Sequence, residues 1–378
     1  MSFDFDVIVV GLGAMGSATA AHLAARGVRV LGLDRFHPPH DLGSSHGLSR
    51  IIREAYFEDP LYVPLVQHAY QLWQELEQQS GRKLLLRTGG LMLGHSDGVL
   101  VSGARRSAEI HKLPHKILSA GDIRRQFPAF EPAEEMGAVW EPRAGVLFPE
   151  LAIQSQLEIA AKHDAVLRFN EPILKWETLR DGVQVHTPTN TYTGGHLVIS
   201  SGAWLSSLVP DLHLPLKVER QVVFWFKPRS DAETLLPTVG PIYICEHQPR
   251  RFFYGFPDLG DGVKIGVHHE GNSADPEGLD RTVKPSEITL AHGLLKRYLP
   301  CAAGSLSSSA VCMYTNTPDE HFILDFHPKF PQVLIISPCS GHGFKFAPVI
   351  GEIAARLLTG EPSPFDLSLF KIARFSKP

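Results

Sequence analysis

The chain has 378 residues, enough for two domains or one large discontinuous domain, and enough to bury a cofactor and still have a core. Its hydrophobic content of 43%, charged content of 20% and formal net charge of -4 lack the basic excess that phosphate backbones demand, so no nucleic acid partner is expected. No apolar run approaches the ~20 residues that span a bilayer, so no membrane partner is expected either.

The start of the chain and its cysteines favour a cytoplasmic protein. The segment "MSFDFDVIVV" carries aspartates where a secretory signal needs positive charge, and the final "FSKP" is not the peroxisomal S-K-L address. The cysteines at 245, 301, 312 and 339 show no C-x-x-C spacing, and no metal site is expected. A chain of this size needs no disulfide framework, so a reducing compartment fits.

Residues 4 to 34 predict a strand, a helix and a second strand. The apolar run Val7 to Val10 suits a buried parallel strand, and a glycine-rich turn follows it. Alanines and leucines at helical spacing then run to Gly27, which is a suitable residue for ending a helix. The second strand, Val28 to Leu33, ends on Asp34.

The turn of this unit has the pattern G-x-G-x-x-G. Gly11, Gly13 and Gly16 would give a tight turn, close approach to a pyrophosphate and close packing of helix on sheet. A helix starting near Ala14 would direct N–H groups at the diphosphate, and Asp34 can accept from ribose hydroxyls. A mere tight turn is the alternative, and these residues alone leave NAD or FAD open. FAD is favoured because the one well-formed motif opens the chain, which returns to the nucleotide domain at its end.

The later segments predict two excursions into a second domain. A helix in "EDPLYVPLVQHAYQLWQELEQQSG" stops at Gly81, and short strands and turns follow around "RTGGLMLGH". Residues near 146 to 210 return to helix and strand, and then long antiparallel strands such as "LKVERQVVFWFKP" flank a helix between Ser286 and Tyr298. Strands in "HFILDFHP" and "VLIISPCSGHGFKF" precede a closing helix that stops at Gly360.

The predicted fold class is α/β, with an α+β substrate domain. A discontinuous Rossmann-type FAD-binding domain would comprise residues 1–85, 146–212 and 321–378. A mostly antiparallel sheet would form the substrate domain, from residues 86–145 and 213–320. We find no internal repeat and no low-complexity segment.

Five segments carry the family-like motifs: "GSSHGLSRIIREAY" (43–56), "YGFP" (254–257), "KIGVHH" (264–269), "AVCMYTNTPDEHF" (310–322) and "SGHGFKF" (340–346). Among them, "SRIIR", most of "AVCMYTNTPDEHF" and "SGHGFKF" have a low chance of random occurrence. They resemble the monomeric sarcosine oxidase and N-methyl amino acid oxidase family, which consists of flavin-dependent amine oxidases of the D-amino-acid-oxidase-like fold. The resemblance implies a monomer that oxidises a secondary amino acid to an imine and reduces O₂ to H₂O₂. The imine would then hydrolyse to an aldehyde and an amino acid.

The resemblance also implies a covalent cofactor. In the family, a cysteine forms a thioether with the 8α-methyl group of FAD, and the matching position is Cys312. A thiolate is a good soft nucleophile, provided that nearby positive charge supplies it. From the residues alone, an isolated cysteine is usually an inert buried side chain. Cys339 is a rival because it precedes "SGHGFKF", but it does not match the anchoring position.

Arg53 and Lys345 match the family's carboxylate-binding pair. A planar guanidinium meets both carboxylate oxygens at once, and positive charge near the substrate also disfavours the ammonium form of its amine. The alternative for Arg53, three residues after Arg50, is an exposed charge on a helix face. Lys345, placed at the start of the last helix, would also lie near the flavin ring.

Tyr254, His268 and Tyr314 match residues of the substrate pocket, although a lone histidine or tyrosine is more often a strand residue with a satisfied polar tip. His269 would point away because neighbours on a strand alternate. Lys264 lies on the same strand face as His268 and matches the lysine that assists oxygen reduction, for which a fixed cation gives an electrostatic reason.

The remaining residues that the resemblance implies contact the cofactor. Arg50 is assigned both to catalysis and to cofactor binding. The full cofactor-binding set is Gly11, Gly13, Gly16, Asp34, Arg35, Ser44, Ser49, Arg50, Gly202, Trp204, Cys312, Gly341, Gly343, Phe344 and Lys345.

Departures from the family pattern bear on the substrate. Ser49 replaces a threonine, Ile244 replaces a methionine, and an extra residue precedes "FFYGFP", so the pocket wall near 244–253 is expected to differ. The expected substrate class is therefore N-methyl or cyclic secondary amino acids, and not sarcosine alone. Two other functions stay open: a dehydrogenase of the same fold with another electron acceptor, and a nucleotide-binding regulatory module without turnover.

Overall fold

The computed structural model describes residues 3–375, and parts of the two chain ends used above to predict the compartment lie outside them. The helices are α1 (Ala14–Ala24), α2 (Tyr62–Ser80), α3 (Val99–Ile110), α4 (Ala120–Gln126), α5 (Pro149–Lys162), α6 (Leu205–Leu208), α7 (Pro285–Tyr298) and α8 (Ala347–Leu358). The strands are β1 (Phe5–Val10), β2 (Val30–Leu33), β3 (Arg50–Ile52), β4 (Leu85–Arg87), β5 (Gly90–His95), β6 (Lys116–Ser119), β7 (Met136–Glu141), β8 (Gly145–Leu147), β9 (Val166–Arg168), β10 (Lys175–Thr178), β11 (Val183–His186), β12 (Thr191–Ile199), β13 (Lys217–Phe226), β14 (Ile242–Gln248), β15 (Arg251–Phe256), β16 (Val263–His268), β17 (Leu306–Asn316), β18 (Ile323–His327) and β19 (Phe330–Ser337).

The first strand, helix and strand form as predicted, and Gly27 ends the helix. Gly27 has a φ of 78°. Its N–H donates to the carbonyl of Ala24, and the N–H of Val28 donates to the carbonyl of Leu23. This is the Schellman arrangement, which satisfies the last carbonyls of a helix. Because Val28 is used in this cap, β2 begins at Val30, two residues later than predicted.

The first sheet has a parallel centre in the order β19, β12, β1, β2, β9. Antiparallel strands flank it: β18 beside β19, and β10 and β11 beside β12. Val7 and Val9 belong to the apolar cluster that includes residues of α1, α2, α5 and α8, whereas Ile8 and Val10 belong to a second cluster. Burial on both faces explains why β1 is a continuous apolar run.

The second sheet has the order β17, β13, β16, β15, β14, β5, β7, β6 and is antiparallel except between β5 and β14. It packs with α7 around its own apolar cluster. A small third sheet pairs β3, β8 and β4. The combination of a parallel and an antiparallel sheet confirms the predicted fold class, while the proposed domain limits stay a prediction.

The two helices α3 and α4 lie where only short strands and turns were predicted. The sequence of α3 contains Gly103, which lowers helix propensity. A Cβ at Gly103 would lie 2.6 Å from the backbone oxygen of Phe57, so packing requires the glycine. In α4, Ser119 and Asp122 form a capping box, a signal that the sequence carried.

Three further features concern partners and metals. Among the described residues, no helix combines the length and the apolar character that crossing a membrane requires. All four cysteines are unpaired thiols. Within residues 3–375, no group of three or more histidine, cysteine, aspartate or glutamate residues is arranged to hold a metal ion.

Candidate active site

A cavity of about 510 Å³ lies where the parallel strands of the first sheet end. Gly11, Asp34, Ser200 and Pro338, the residues that directly follow β1, β2, β12 and β19, all line it. Ligands of open α/β sheets bind at the carboxyl ends of the strands. Side chains of β15, β16 and β17 in the second sheet also line the cavity, so it lies between the two sheets.

The glycine turn has the shape that a diphosphate needs. Gly11 has a φ of 85°, and a Cβ there would lie 2.7 Å from the carbonyl oxygen of Ser200. A Cβ on Gly16 would come within 1.7 Å of the Gly11 oxygen, whereas a Cβ on Gly13 would meet only Ser45 Oγ, at 3.7 Å. No side chain caps α1 and no acid occupies its first turn. Its free N–H groups therefore fit an anionic group.

Asp34 lies at the cavity end expected for a ribose. Its Oδ2 accepts from the N–H of Leu12 at 2.7 Å, and its Oδ1 accepts from the N–H of Phe36 at 2.8 Å. Burial raises the pKa of Asp34, although these two donors and nearby His40 oppose that shift. Each carboxylate oxygen keeps a further lone pair for a ribose hydroxyl.

Arg35 and Trp204 contact a residue from the other half of the chain. Glu277, in the segment between β16 and α7, accepts from two nitrogens of Arg35 at 2.7 and 3.1 Å. Its Oε1 also accepts from Trp204 Nε1 at 2.9 Å. Arg281, four residues further on, donates to the carbonyls of Asp41 and Leu42. The segment therefore joins the second sheet to the loops that follow β2 and β12.

Cys312 lies on β17, is 6% exposed and lines the cavity. Burial raises the pKa of its thiol, whereas the positive charges of Arg50 and Lys264 act to lower it. Cys339 lines the same cavity with its Sγ 3.1 Å from Ser337 Oγ. Burial also raises the pKa of Cys339, and hydrogen bonds with Ser337 and Thr315 act to lower it. The two thiols thus differ in electrostatic environment.

Arg53 directly follows β3 and is 1% exposed, so the alternative of an exposed helix-face charge is wrong. Its Nη2 donates to both carboxylate oxygens of Glu58, at 2.6 and 2.7 Å. Its guanidinium carbon lies 4.2 and 4.8 Å from the ring centroids of Tyr56 and Phe57. The buried Nε has no hydrogen-bond partner among the described residues.

Lys345 lies in a 3₁₀ turn, Phe344–Phe346, just before α8 and not in the helix itself. Its Nζ donates to the carbonyl of His342 at 2.7 Å and is 5.3 Å from the Tyr56 ring. The indole of Trp73 donates to the Lys345 carbonyl at 2.9 Å. Burial, and then the charge of Arg53, lower the pKa of Lys345 to about 7. Arg53 and Lys345 therefore both lie near the Tyr56 ring, and both line the cavity.

Tyr254, His268 and Tyr314 come from three strands and line one part of the cavity. The His268 ring centroid is 6.3 Å from that of Tyr254 and 5.4 Å from that of Tyr314. His268 Nδ1 is 3.3 Å from the Tyr314 hydroxyl. Burial lowers the pKa of His268 well below its ordinary value, and His269 and nearby cations lower it further. His268 is therefore a neutral imidazole at neutral pH.

Lys264 does not line the cavity, although the sequence places it on the same face of β16 as His268. It is 2% exposed, and its ammonium donates to the carbonyls of Gly47 and Ser49 and to Ser49 Oγ. Burial, and then the charge of Arg50, lower the pKa of Lys264 well below its ordinary value. Its ammonium is therefore held by Gly47 and Ser49, which do not line the cavity either.

The structure brings most of the predicted site residues to this cavity. Gly16, Ser49 and Lys264 do not line it. Those that do are Gly11, Gly13, Asp34, Arg35, Ser44, Arg50, Arg53, Gly202, Trp204, Tyr254, His268, Cys312, Tyr314, Gly341, Gly343, Phe344 and Lys345.

Sequence reasoning missed four residues of this cavity or its wall. Tyr56 and His342, joined by a hydrogen bond between the hydroxyl and Nδ1, both lay in the family-like segments but received no role. Glu58 and Glu277 had no signal that separates them from ordinary surface acids. Of residues 244–253, only Ile244 lines the cavity, so the extra residue in this region does not reach it.

A protein-family model described as FAD dependent oxidoreductase matches residues 6–357. The chain belongs to the FAD-dependent oxidoreductase family. A monomeric sarcosine oxidase from Streptomyces avermitilis is 45% identical to this family member, over 100% of this chain and 99% of that protein. An N-methyl-L-tryptophan oxidase from Yersinia pestis is 36% identical, over 98% and 100% of the two chains. The family resemblance and FAD as the family's cofactor are confirmed.

A solved structure has the same fold. NikD, an unusual amino acid oxidase essential for nikkomycin biosynthesis, superposes with a TM-score of 0.85 and 25% identity, with 97% of each chain covered.

Proposed function

We propose that this protein is an oxidase of secondary amino acids, which oxidises the C–N bond to an imine and reduces O₂ to H₂O₂. One observation carries the proposal. Buried Arg53, buried Lys345 and neutral His268 line the same cavity as the glycine turn that follows β1. Bound FAD supplies the two-electron chemistry. The protein supplies binding, orientation and charge.

The carboxylate of the substrate would bind Arg53 and Lys345. The free Nε of Arg53 is a buried N–H donor without a partner among the described residues, and a buried donor without a partner is costly. Glu58 now balances the charge of Arg53 and competes for its Nη2. A substrate carboxylate would therefore approach from the Nε side and share the ammonium of Lys345.

The amine of the substrate must lose its proton before oxidation. The positive charges of Arg53 and Lys345 disfavour an ammonium close to them. Neutral His268 can accept a hydrogen bond from that ammonium, and the Tyr254 and Tyr314 rings lie beside His268 in the same part of the cavity. We assign these three side chains to the orientation and deprotonation of the amine.

The attachment of the cofactor, the oligomeric state and the compartment belong to the same proposal. Cys312, near Arg50 and Lys264, would form the thioether, because cations favour the reactive thiolate. A monomer is supported by the printed name of the relative with 45% identity. The four free thiols support the reducing cytoplasm.

The substrate class is expected to be N-methyl or cyclic amino acids. Ile244 and Phe57 are apolar residues of the cavity wall, and the Phe57 ring lies beside the Arg53 guanidinium. An apolar wall binds an extra methyl or ring CH₂ group with about 0.8 kcal/mol for each buried CH₂.

Anaerobic bleaching of the flavin absorbance tests the function. Sarcosine, other N-methylated amino acids, proline and pipecolate are added in turn, and at least one is expected to bleach the flavin within seconds. Arg53→Gln should abolish the response at the same concentration, and Arg82→Gln should not, because Arg82 pairs with Glu158 at an exposed site. No bleaching with any member of the panel would overturn the proposal. Peroxide formation with air as sole acceptor distinguishes an oxidase from a dehydrogenase.

The affinity for carboxylates should fall as the pH rises above neutral. Lys345 has a pKa of about 7 in the free site, and an anion binds only its protonated form. The Kd of the protein for acetate, measured from the change in flavin absorbance, should therefore increase above pH 7 by up to about tenfold for each pH unit. Lys345→Met should flatten this slope, whereas the exposed Lys371→Met should retain it. A flat wild-type profile would contradict the assignment.

A further inference from the structure

Glu141, the last residue of β7, is a buried acid that does not line the cavity. It is 1% exposed. Its Oε1 accepts from the N–H of Glu54 at 2.6 Å, and its Oε2 accepts from the N–H of Ala55 at 2.8 Å. No backbone carbonyl of residues 3–375 accepts from either N–H. The carboxylate of Glu141 is therefore the acceptor on which both donors depend.

The two N–H groups belong to the residues that directly follow Arg53. Strand β3, which ends just before Arg53, pairs with β8, with Ile52 opposite Gly145. Because β8 begins at Gly145, shortly after Glu141, this pairing brings the end of β7 to the end of β3. Arg53 Nη1 donates to the carbonyl of Ala55 at 3.1 Å. The guanidinium is therefore bonded to the same residue whose N–H Glu141 holds.

The second half of this turn is fixed from another direction. Ser107, buried on α3, donates from its hydroxyl to the carbonyl of Tyr56. The rings of Tyr56 and Phe57 in turn lie against the guanidinium of Arg53. Helix α3 thus fixes the part of the turn that carries the two rings, and Glu141 fixes the part that joins them to Arg53.

The charge of Glu141 and its hydrogen bonds have opposite expected effects on an anion bound at Arg53. Burial raises the pKa of Glu141 to about 7, although the N–H groups of Ala55 and Glu54 and the charge of Arg53 oppose that shift. The side chain of Glu54 is itself paired, with its Oε1 3.3 Å from Arg143 Nη2. At about pH 8, Glu141 is therefore an anion. Its charge repels a second anion, whereas its hydrogen bonds hold the cation that the second anion needs.

We propose that Glu141 is a positioning residue for Arg53: it holds the turn 53–57 in the conformation that places the guanidinium at the cavity. The importance of this role for the substrate rests on the proposed function, in which Arg53 binds the substrate carboxylate. A glutamine at position 141 has one oxygen acceptor and one NH₂ donor, so it can accept from only one of the two N–H groups. The other N–H would then face a donor, and the turn would shift to avoid it.

Binding of acetate to the holoenzyme at about pH 8, measured from the change in flavin absorbance, tests the proposal. Glu141→Gln should raise the Kd for acetate by about tenfold, because a buried hydrogen bond to a charged group is lost. An effect of charge alone would lower the Kd, since the variant lacks a negative charge near Arg53. With a substrate that bleaches the flavin, the apparent Kd should rise by about the same factor, and the limiting rate of flavin reduction should change less.

A matched control is available in the same sheet. Glu246, on β14, is 6% exposed and does not line the cavity. Its two carboxylate oxygens accept from the N–H groups of Leu100 and Arg250, at 3.0 and 2.9 Å. Glu246→Gln should lose a buried hydrogen bond of the same kind and leave the Kd for acetate unchanged. If Glu141→Gln does not fold, Glu141→Asp and Glu246→Asp replace the two variants. The shorter side chain keeps the charge but moves it away from the two N–H groups, so Glu141→Asp should again raise the Kd.

Arg53→Gln distinguishes failure of the positioning role from failure of the proposed function. If Arg53→Gln raises the Kd for acetate and Glu141→Gln does not, the positioning role is wrong and the carboxylate site stands. If Arg53→Gln leaves the Kd unchanged, Arg53 does not bind carboxylates, and both proposals are overturned. A lower Kd in Glu141→Gln, or an equal rise in Glu246→Gln, would also overturn the positioning role.

Discussion

Replacing Lys264 with methionine is expected to slow the reoxidation of reduced flavin by O₂ by about 10²–10³-fold, the usual effect of removing one preorganised electrostatic stabiliser. Flavin reduction by substrate should change by less than about tenfold. Negative charge develops on dioxygen as it accepts electrons, and a buried cation stabilises it strongly. The two carbonyls and the hydroxyl around Nζ match the three N–H donors of an ammonium, and they hold this charge in place.

Stopped-flow mixing of the reduced enzyme with oxygenated buffer measures the effect. Because burial lowers the pKa of Lys264, its charge is lost as the pH rises through that lowered value. Wild-type reoxidation should therefore slow as the pH rises through that value, and Lys264→Met should not show this dependence. Lys217→Met, at the exposed start of β13, should resemble the wild type. An equal loss in both half-reactions would remove the oxygen role from Lys264.

Replacing Cys312 with alanine should abolish covalent attachment of the flavin. The thiol lines the cavity, and Arg50 and Lys264 act on it, so it is the sulfur that nearby charge favours as a thiolate. Acid-precipitated Cys312→Ala protein should be colourless, with FAD recovered in the supernatant. Precipitated Cys339→Ala protein should stay yellow, because Cys312 is unchanged in it.

A yellow Cys312→Ala precipitate together with a colourless Cys339→Ala precipitate would identify Cys339 as the residue that binds the flavin covalently. A yellow precipitate from both variants would contradict a cysteinyl link altogether. Binding of FAD itself should survive in Cys312→Ala, because the glycine turn and Asp34 do not depend on the thiol. Retained flavin fluorescence quenching in that variant, before precipitation, separates lost attachment from lost folding.

The cofactor end of the site could be predicted from the sequence because its signals are local. Gly11, Gly16 and Asp34 lie within one strand, helix and strand unit, and each has the contacts that its position in the motif requires. The burial of Arg53 could not be predicted in this way. It depends on Glu58 and on two aromatic rings, and nothing in the spacing of these residues specifies their contacts.

Strand alternation predicted part of the geometry around β16, because of the two neighbouring histidines only His268 lines the cavity. The alternation rule separated His268 from His269, but the left-handed φ of His269 brings the two rings together. The same rule placed Lys264 on the face of His268, but it could not predict that the Lys264 ammonium donates to the carbonyls of Gly47 and Ser49 and does not line the cavity. Long-range packing decides both outcomes, and no local periodicity encodes it.

The segments that line the cavity run from Val10 to Lys345, almost the full length of the chain. During synthesis the ribosome must therefore deliver nearly every residue before FAD can meet a complete binding site. FAD that binds only the finished fold stabilises it by mass action. Flavin shortage in a growing cell should then lower the yield of folded protein as well as its activity, because chains without the cofactor stay exposed to proteolysis for longer.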